Sequence, residues 1–261
     1  MKIDVYFSPV QVDEMQLREK NVIVIDVLRA SSTIVAALHN GAREVIPVSS
    51  IESAVKVSGN LFGDVVLRGG ERNGKMIDGF NLGNSPSEYT EEAVKGKSII
   101  LCTTNGSVAM VRARHAKNMA VACFNNISAV IDFILETGED FSIVCAGKVS
   151  LFSLEDAVCA GMIVKLLSDR DSLVVELNDA AVAAHVLYKT YSKNLLKMIK
   201  GCDHGRYLAG IGFENDLKLC VEIDSIPVVP MLAGNVIKLK APSGLKKEEA
   251  KPSAAAEAVA D

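Results

Sequence analysis

Short runs of β-branched and other apolar residues recur along this chain, each giving way to a small polar loop and then to a segment whose apolar residues return with helical period. On this pattern residues 22–26, 64–67, 98–102 and 141–146 read as strands. The unit stands out three times, as VIVID-VLRASST-IVAALHN, SIIL-CTTNGS-VAMVRARHA and FSIVCAG-KVSLFSLED-AVCAGMIVKLL. Unbroken apolar runs such as VIVI predict strands covered on both faces, as in a parallel sheet. The expected fold is α/β: layered α/β/α, with a largely parallel or mixed sheet built from repeated strand-loop-helix units. Residues 1–240 are expected to form a single domain, with two intimately packed α/β halves as the alternative. From residue 241 to 261 the chain becomes Lys/Glu-rich and then Ala-rich, with Pro242 and Pro252 and no large apolar residue after Leu245. Such a segment buries too little surface to offset its ordering entropy, and a disordered tail is expected there.

Composition narrows the function. The 261 residues are 49% hydrophobic and 23% charged, enough for a large core, and the net charge of -4 comes without a basic run in the body. The electrostatic footprint of a nucleic-acid binder is missing. No apolar run reaches the roughly 18 residues of a membrane span, and the first residues lead straight into a strand without a signal-peptide pattern. No membrane partner and a cytoplasmic location are expected, and the frequency of symmetric assemblies makes a homo-oligomer the default. Cys102, Cys123, Cys145, Cys159, Cys202 and Cys220 are scattered in apolar surroundings without a C-x-x-C pair. They are expected to be buried free thiols.

The polar loops carry the candidate chemistry. Parallel strands bring the following loops to one edge, where helix N-termini present free N–H groups and a positive dipole end, so the loops can converge on an anion. Asp26 closes the first strand and is followed by Arg29, Ser31 and Ser32, which together offer a carboxylate for a metal and a guanidinium plus hydroxyls for an anion. The plainer reading is that a serine caps the helix and Asp26 pairs with Arg29. The run Gly69-Gly70-Glu71-Arg72-Asn73-Gly74-Lys75 has the spacing of a P-loop, but Met76 stands where Ser or Thr should meet magnesium. Read instead as a glycine-rich loop after a strand, it offers Glu71 to a metal and Arg72 to an oxyanion; a solvated ion pair is the alternative.

Ser85, Pro86 and Glu88 fit a capping box, while Asn81 and Asn84 suit either a polar ligand or local turns. Thr103, Thr104, Asn105 and Gly106 form the next strand-to-helix junction, a possible nest for phosphate or sulfonate oxygens or an ordinary cap. Ser153 opens a further helix. Asp156 there can close the cap, whereas Glu155 has no capping role, and either could supply a hard oxygen to Mg²⁺. His39, His115, His185 and His204 lack zinc spacing and are assigned structural roles. Asp169-Arg170-Asp171 follows a helix and reads as a solvated turn.

Taken in order, DVLRASSTI, GGERNG, GFNLGNSP, TTNGS, CAG, FSLEDAVCAG and HGRYLAGIGFENDL followed by VP resemble the 2-phosphosulfolactate phosphatase family, over nearly the whole body to about Leu239. The resemblance implies one phosphatase domain that uses Mg²⁺ to remove phosphate from (2R)-2-phospho-3-sulfolactate, giving 3-sulfolactate, a step toward coenzyme M. It implies catalytic roles for Asp26, Arg29, Glu71 and Arg72, and substrate binding by Ser31, Ser32, Asn81, Asn84, Ser85, Thr103, Thr104, Asn105 and Gly106. Metal ligands would come from Asp26, Glu71, Glu155 and Asp156. The partner is then a small anionic ester carrying phosphate, carboxylate and sulfonate. Two rivals stay open: a phosphatase for another small anionic ester, and a non-catalytic module that binds a nucleotide or anion.

Overall fold

The computed structural model describes residues 1–59 and 65–240, so the expected tail and Asp64 lie outside the described residues. In chain order the strands are Lys2–Tyr6 (β1), Asn21–Ile25 (β2), Glu44–Val48 (β3), Val66–Arg72 (β4), Lys75–Met76 (β5), Ser98–Cys102 (β6), Asn118–Ala122 (β7), Phe141–Cys145 (β8), Glu176–Leu177 (β9), Pro230–Ala233 (β10) and Val236–Leu239 (β11). Among the described residues they form one 11-stranded sheet in the order β5-β4-β6-β3-β11-β10-β7-β2-β8-β1-β9.

The sheet contains two parallel groups. β4, β6 and β3 pair in parallel on one side, and β7, β2, β8, β1 and β9 on the other. The hairpin of β10 and β11 lies between them and pairs antiparallel with β7 and β3. Three successive antiparallel pairings reverse the sense of one group relative to the other. This is the mixed form of the expected sheet.

The strands of both groups are buried as their apolar runs predict: every residue of β2, β6 and β8 is inaccessible. Because side chains alternate across a strand, β2 serves two cores. Ile23 and Ile25 join Ile143 of β8 and the helices Ile127–Thr137 and Leu154–Ser168. Val22 and Val24 face the helix Ala30–His39 and share one cluster with Val45 of β3 and with Ile99 and Leu101 of β6. Val48, Ile100 and Cys102 pack on the other side against Ala54 of the helix Ile51–Gly59. The helices Ala30–His39 and Gly106–Arg112 thus fill a central layer lined by both groups of strands. Each fully buried Val, Leu or Ile there contributes about 1.5–3 kcal/mol.

The glycine-rich segment differs from its expected form. β4 runs on through Gly69, Gly70, Glu71 and Arg72, and Asn73 and Gly74, at φ 51° and 71°, make the two-residue turn into β5. No phosphate-cradling loop forms, which removes the nucleotide P-loop reading. Gly70 is required in the strand: its φ is 146°, and a Cβ there would collide with the Cys102 carbonyl of β6. No helix among the described residues is long and apolar enough to cross a membrane.

The longest helix, Leu154–Ser168, lies so close to the helix Asp179–Tyr191 that a Cβ on Gly161 would run into the Ala184 carbonyl and the Tyr188 side chain. Replacing Gly161 with Val is expected to destabilise the protein by about 1–3 kcal/mol through overpacking. A fall in the urea midpoint with an unchanged slope would show this, and an unchanged midpoint would rule out the tight crossing.

Candidate active site

Asp26 follows directly on β2 and is 5% exposed. Its backbone N–H donates to Ser31 Oγ at 2.8 Å, and its carbonyl accepts from Ser31 N–H at 2.9 Å, so the carboxylate is fixed at the start of the helix Ala30–His39. The N-terminus of the helix Gly106–Arg112 comes against it. A Cβ on Gly106 would strike Asp26 Oδ2 and Ala30, so only glycine permits this approach. Burial pushes Asp26 up to about 7; His204 works against the rise and the Glu71 and Glu155 charges add to it.

Two other acids are bonded into the backbone. Glu71 accepts from the Thr104 N–H (2.8 Å) and the Gly74 N–H (2.9 Å). Asp156 accepts from the Val27 N–H (2.8 Å) and the Gly147 N–H (3.0 Å). Its carboxyl is pushed well above the ordinary range, first by burial and then by the Asp26 and Glu155 charges. Glu155 stands beside His204 Nδ1 at 3.5 Å. Burial is the largest single influence and opposes its ionisation, but the contacts to His204, to its own backbone amide and to Cys202 together hold it below the ordinary range.

A cavity of about 260 Å³ opens above Asp26, walled by Arg29, Glu71, Asn84, Thr104, Asn105, Lys148, His204 and Tyr207 among others. Asn84 Oδ1 is buried there without a hydrogen-bond partner, an unsatisfied acceptor of the kind a ligand hydroxyl or water completes. A second cavity of about 440 Å³ adjoins it, shares Lys148, Val149 and His204, and has Glu155, Leu151 and Phe152 in its wall. Arg29 reaches the first cavity already engaged: it bonds Asp216 Oδ2 at 2.8 Å and the Gly74 carbonyl at 2.6 Å, and stacks 4.1 Å from the Phe213 ring centre.

Of the residues singled out in the sequence, Asp26, Arg29, Glu71, Asn84, Thr104 and Asn105 meet at this cavity. Several others have backbone work instead. The helix from Ala30 is buried through Leu38, so its hydroxyls must bond internally: Ser31 accepts from Asp26 N–H, and Ser32 donates to the Val27 carbonyl at 3.0 Å. Neither serine caps the helix, and Asp26 does not pair with Arg29, whose partner is Asp216. Thr103 is tied to Ser107, and Asn81 is exposed and accepts from Arg68 N–H at 2.9 Å. Ser85 donates to Asp216 Oδ1 at 2.7 Å, and no capping box closes at Ser85 because Glu88 bonds the Gly83 N–H.

Arg72 donates to its neighbour's carbonyl and to Cys102 Sγ, outside the cavity wall. Asp156 does not close the Ser153 cap with its carboxylate, which bridges two loops instead. Sequence reasoning missed His204, Lys148 and Asp216. His204, read from the sequence as structural, stands beside Glu155 and lines both cavities, and its signal was the position of HGRY within an ordered motif set.

Mg²⁺ is the metal that the family resemblance implies. Among the described residues no three Asp, Glu, His or Cys side chains converge to hold a metal ion unaided. Glu71 and Asp156 each spend both oxygens on backbone amides, whereas among the described residues the Asp26 carboxylate is hydrogen-bonded to no side chain and to no amide besides the Ala30 N–H. Mg²⁺ is usually bound by one or two carboxylates, with water and substrate oxygens completing its shell. The donor set fits that mode, with Asp26 foremost and Glu71 and Glu155 nearby.

A family model described as 2-phosphosulpholactate phosphatase matches residues 6–235. A protein of Caldanaerobacter subterraneus subsp. tengcongensis named "Probable 2-phosphosulfolactate phosphatase" is 41% identical over 238 residues, covering 91% of this chain and 98% of its own. A protein of the same name from Thermotoga maritima is 42% identical over 238 residues, with 91% and 98% covered. A third of that name from Clostridium novyi is 38% identical over 231 residues, with 88% and 96% covered. The match spans every strand end that builds the cavity, and the chain belongs to the 2-phosphosulfolactate phosphatase family.

Proposed function

We propose that this protein is a Mg²⁺-dependent, cytoplasmic phosphatase that hydrolyses (2R)-2-phospho-3-sulfolactate to 3-sulfolactate and phosphate, a step of the coenzyme M biosynthesis type. The observation that carries the reading is the buried Asp26 carboxylate, fixed against the starts of the helices Ala30–His39 and Gly106–Arg112 in a cavity walled by Arg29, Lys148 and His204. A carboxylate fixed in this position suits proton transfer from water or attack at phosphorus.

Asp26 takes a proton from the attacking water, or attacks phosphorus itself to give an aspartyl phosphate that water then cleaves to release phosphate; in both cases the ester P–O bond breaks and the sulfolactate oxygen regains a proton. His204 shares that wall and is our candidate donor of the proton. Arg29, pre-set by Asp216, Gly74 and Phe213, offers its remaining N–H groups to phosphoryl oxygens without reorganisation. Asn84 Oδ1 orients a hydroxyl or water. Mg²⁺, held by Asp26 with Glu71 or Glu155, would neutralise phosphoryl charge.

Purified protein incubated with 2-phosphosulfolactate should release phosphate with Mg²⁺ and stop when a chelator is added, with phospholactate and ATP turned over far more slowly. Equal release from phospholactate would favour the other-ester reading, and release undiminished by chelation would remove the metal.

Asp26→Asn should cost about 100-fold or more in kcat, yet stabilise the fold at pH 8. The folded-state pKa is raised from 3.8 to about 7, so the native protein keeps a proton that the unfolded chain loses, and stability falls as pH rises between those values. At pH 8 the ionised, buried group costs on the order of 4 kcal/mol, which Asn removes; near pH 4 the gain should nearly vanish. Thermal melts of both proteins across this range check the sign.

The same proton competes with the cation. The rise in melting temperature on adding Mg²⁺ should therefore grow from pH 6 to pH 8, and a shift independent of pH would take Asp26 out of the metal site.

A further inference from the structure

We propose that Lys148 recognises the sulfonate of the substrate, the anionic group that sets 2-phosphosulfolactate apart from simpler phosphate esters; the inference rests on the function proposed above. The cations of the cavity wall are Arg29, Lys148 and, when protonated, His204. Arg29 is neutralised by Asp216, and His204 stands beside Glu155. Lys148 forms no ion pair or side-chain hydrogen bond among the described residues; its ammonium lies 5.6 Å from the centre of the Tyr207 ring. A cation–π contact leaves the ammonium free to take an anion.

The position is held firmly. Lys148 and Leu151 exchange two backbone hydrogen bonds of 3.0 Å around Val149 and Ser150, which sit at φ 52° and 63°. A β-branched residue at positive φ is an outlier that its surroundings must enforce. The enforcing bonds are visible: Asn105 Oδ1 accepts from Val149 N–H at 2.8 Å, Ser8 Oγ donates to the Ser150 carbonyl at 2.7 Å, and Asp156 accepts from Gly147 N–H. The turn so fixed presents Lys148 at the boundary of the two cavities, one with Asp26 at its floor and one partly walled by Leu151, Phe152 and Leu154. A substrate whose phosphate faces Asp26 and Arg29 has its far end directed toward this boundary, where the Lys148 ammonium meets it.

The test compares wild type, Lys148→Gln and Lys148→Arg, all with Mg²⁺. Calorimetry gives the Kd for 3-sulfolactate, and steady-state kinetics gives kcat/KM for 2-phosphosulfolactate and for phospholactate. Lys148→Gln is expected to weaken 3-sulfolactate binding by about tenfold or more, the loss of one charge-assisted contact, and to reduce kcat/KM for the sulfonated ester by a similar factor through KM. The loss on phospholactate should be several-fold smaller, and Lys148→Arg should restore most of the binding. Equal losses on the two esters, or wild-type-like binding of 3-sulfolactate by Lys148→Gln, would overturn the assignment, as would a wild type that does not bind 3-sulfolactate. Lys148-dependent binding of 3-sulfolactate by a protein that releases no phosphate from the ester would defeat the proposed reaction and leave the sulfonate contact standing.

Discussion

The architecture of the site depends on buried carboxylates bonded to backbone amides from separate strand ends. Glu71, on β4, is held by the amide of Thr104 after β6 and by Gly74 in the turn beyond β4. Asp156, at the start of a helix, is held by amides of Val27 after β2 and Gly147 after β8. A buried carboxylate demands such donors, and meeting the demand fixes loops that would otherwise sit independently on the sheet. Asp26 stands among these acids with fewer bonds, so burial first, and the Glu71 and Glu155 charges after it, raise its carboxyl.

The protein therefore holds an excess of negative charge where it is least comfortable. Like charges in a water-poor space raise each other's proton affinity, and the conflict is relieved by a proton, a cation or a bound positive group. The positive side chains differ in their partners. Arg29 is paired with Asp216, which links the loop after β2 to a helix much later in the chain and fixes the guanidinium at the cavity wall, while the Lys148 ammonium has only the Tyr207 ring beside it. Residue type alone does not reveal that difference.

Much of the fold could be read from the sequence because continuous apolar runs have few alternatives: β2, β6 and β8 lie where VIVI, SIIL and FSIVC put them. The convergence of Asp26, Arg29, Glu71, Asn84, Thr104 and Asn105 was legible too, since strand-end loops gather by topology. What pattern could not show was how completely the helix Ala30–His39 is enclosed. Once both groups of strands cover it, Ser31 and Ser32 have no route to a substrate and must satisfy the backbone. Nor could spacing distinguish a glycine-rich loop from a strand that needs glycine for close pairing, as Gly70 does against Cys102. His204 and Asp216 escaped notice because their partners, Glu155 and Arg29, are remote in the chain and the pairings exist only in the folded state.

The hairpin of β10 and β11 comes after every other strand in chain order, yet lies in the middle of the sheet. During synthesis both parallel groups emerge before the piece that zips them together. Each then exposes an unpaired strand edge, β3 or β7, whose backbone groups await the hairpin. The nascent protein must keep these edges from pairing with neighbouring chains until its last strands arrive. For this chain, then, the vulnerable moment is the interval between translation of the two parallel groups and capture of the hairpin that joins them, when a chaperone would have most to protect.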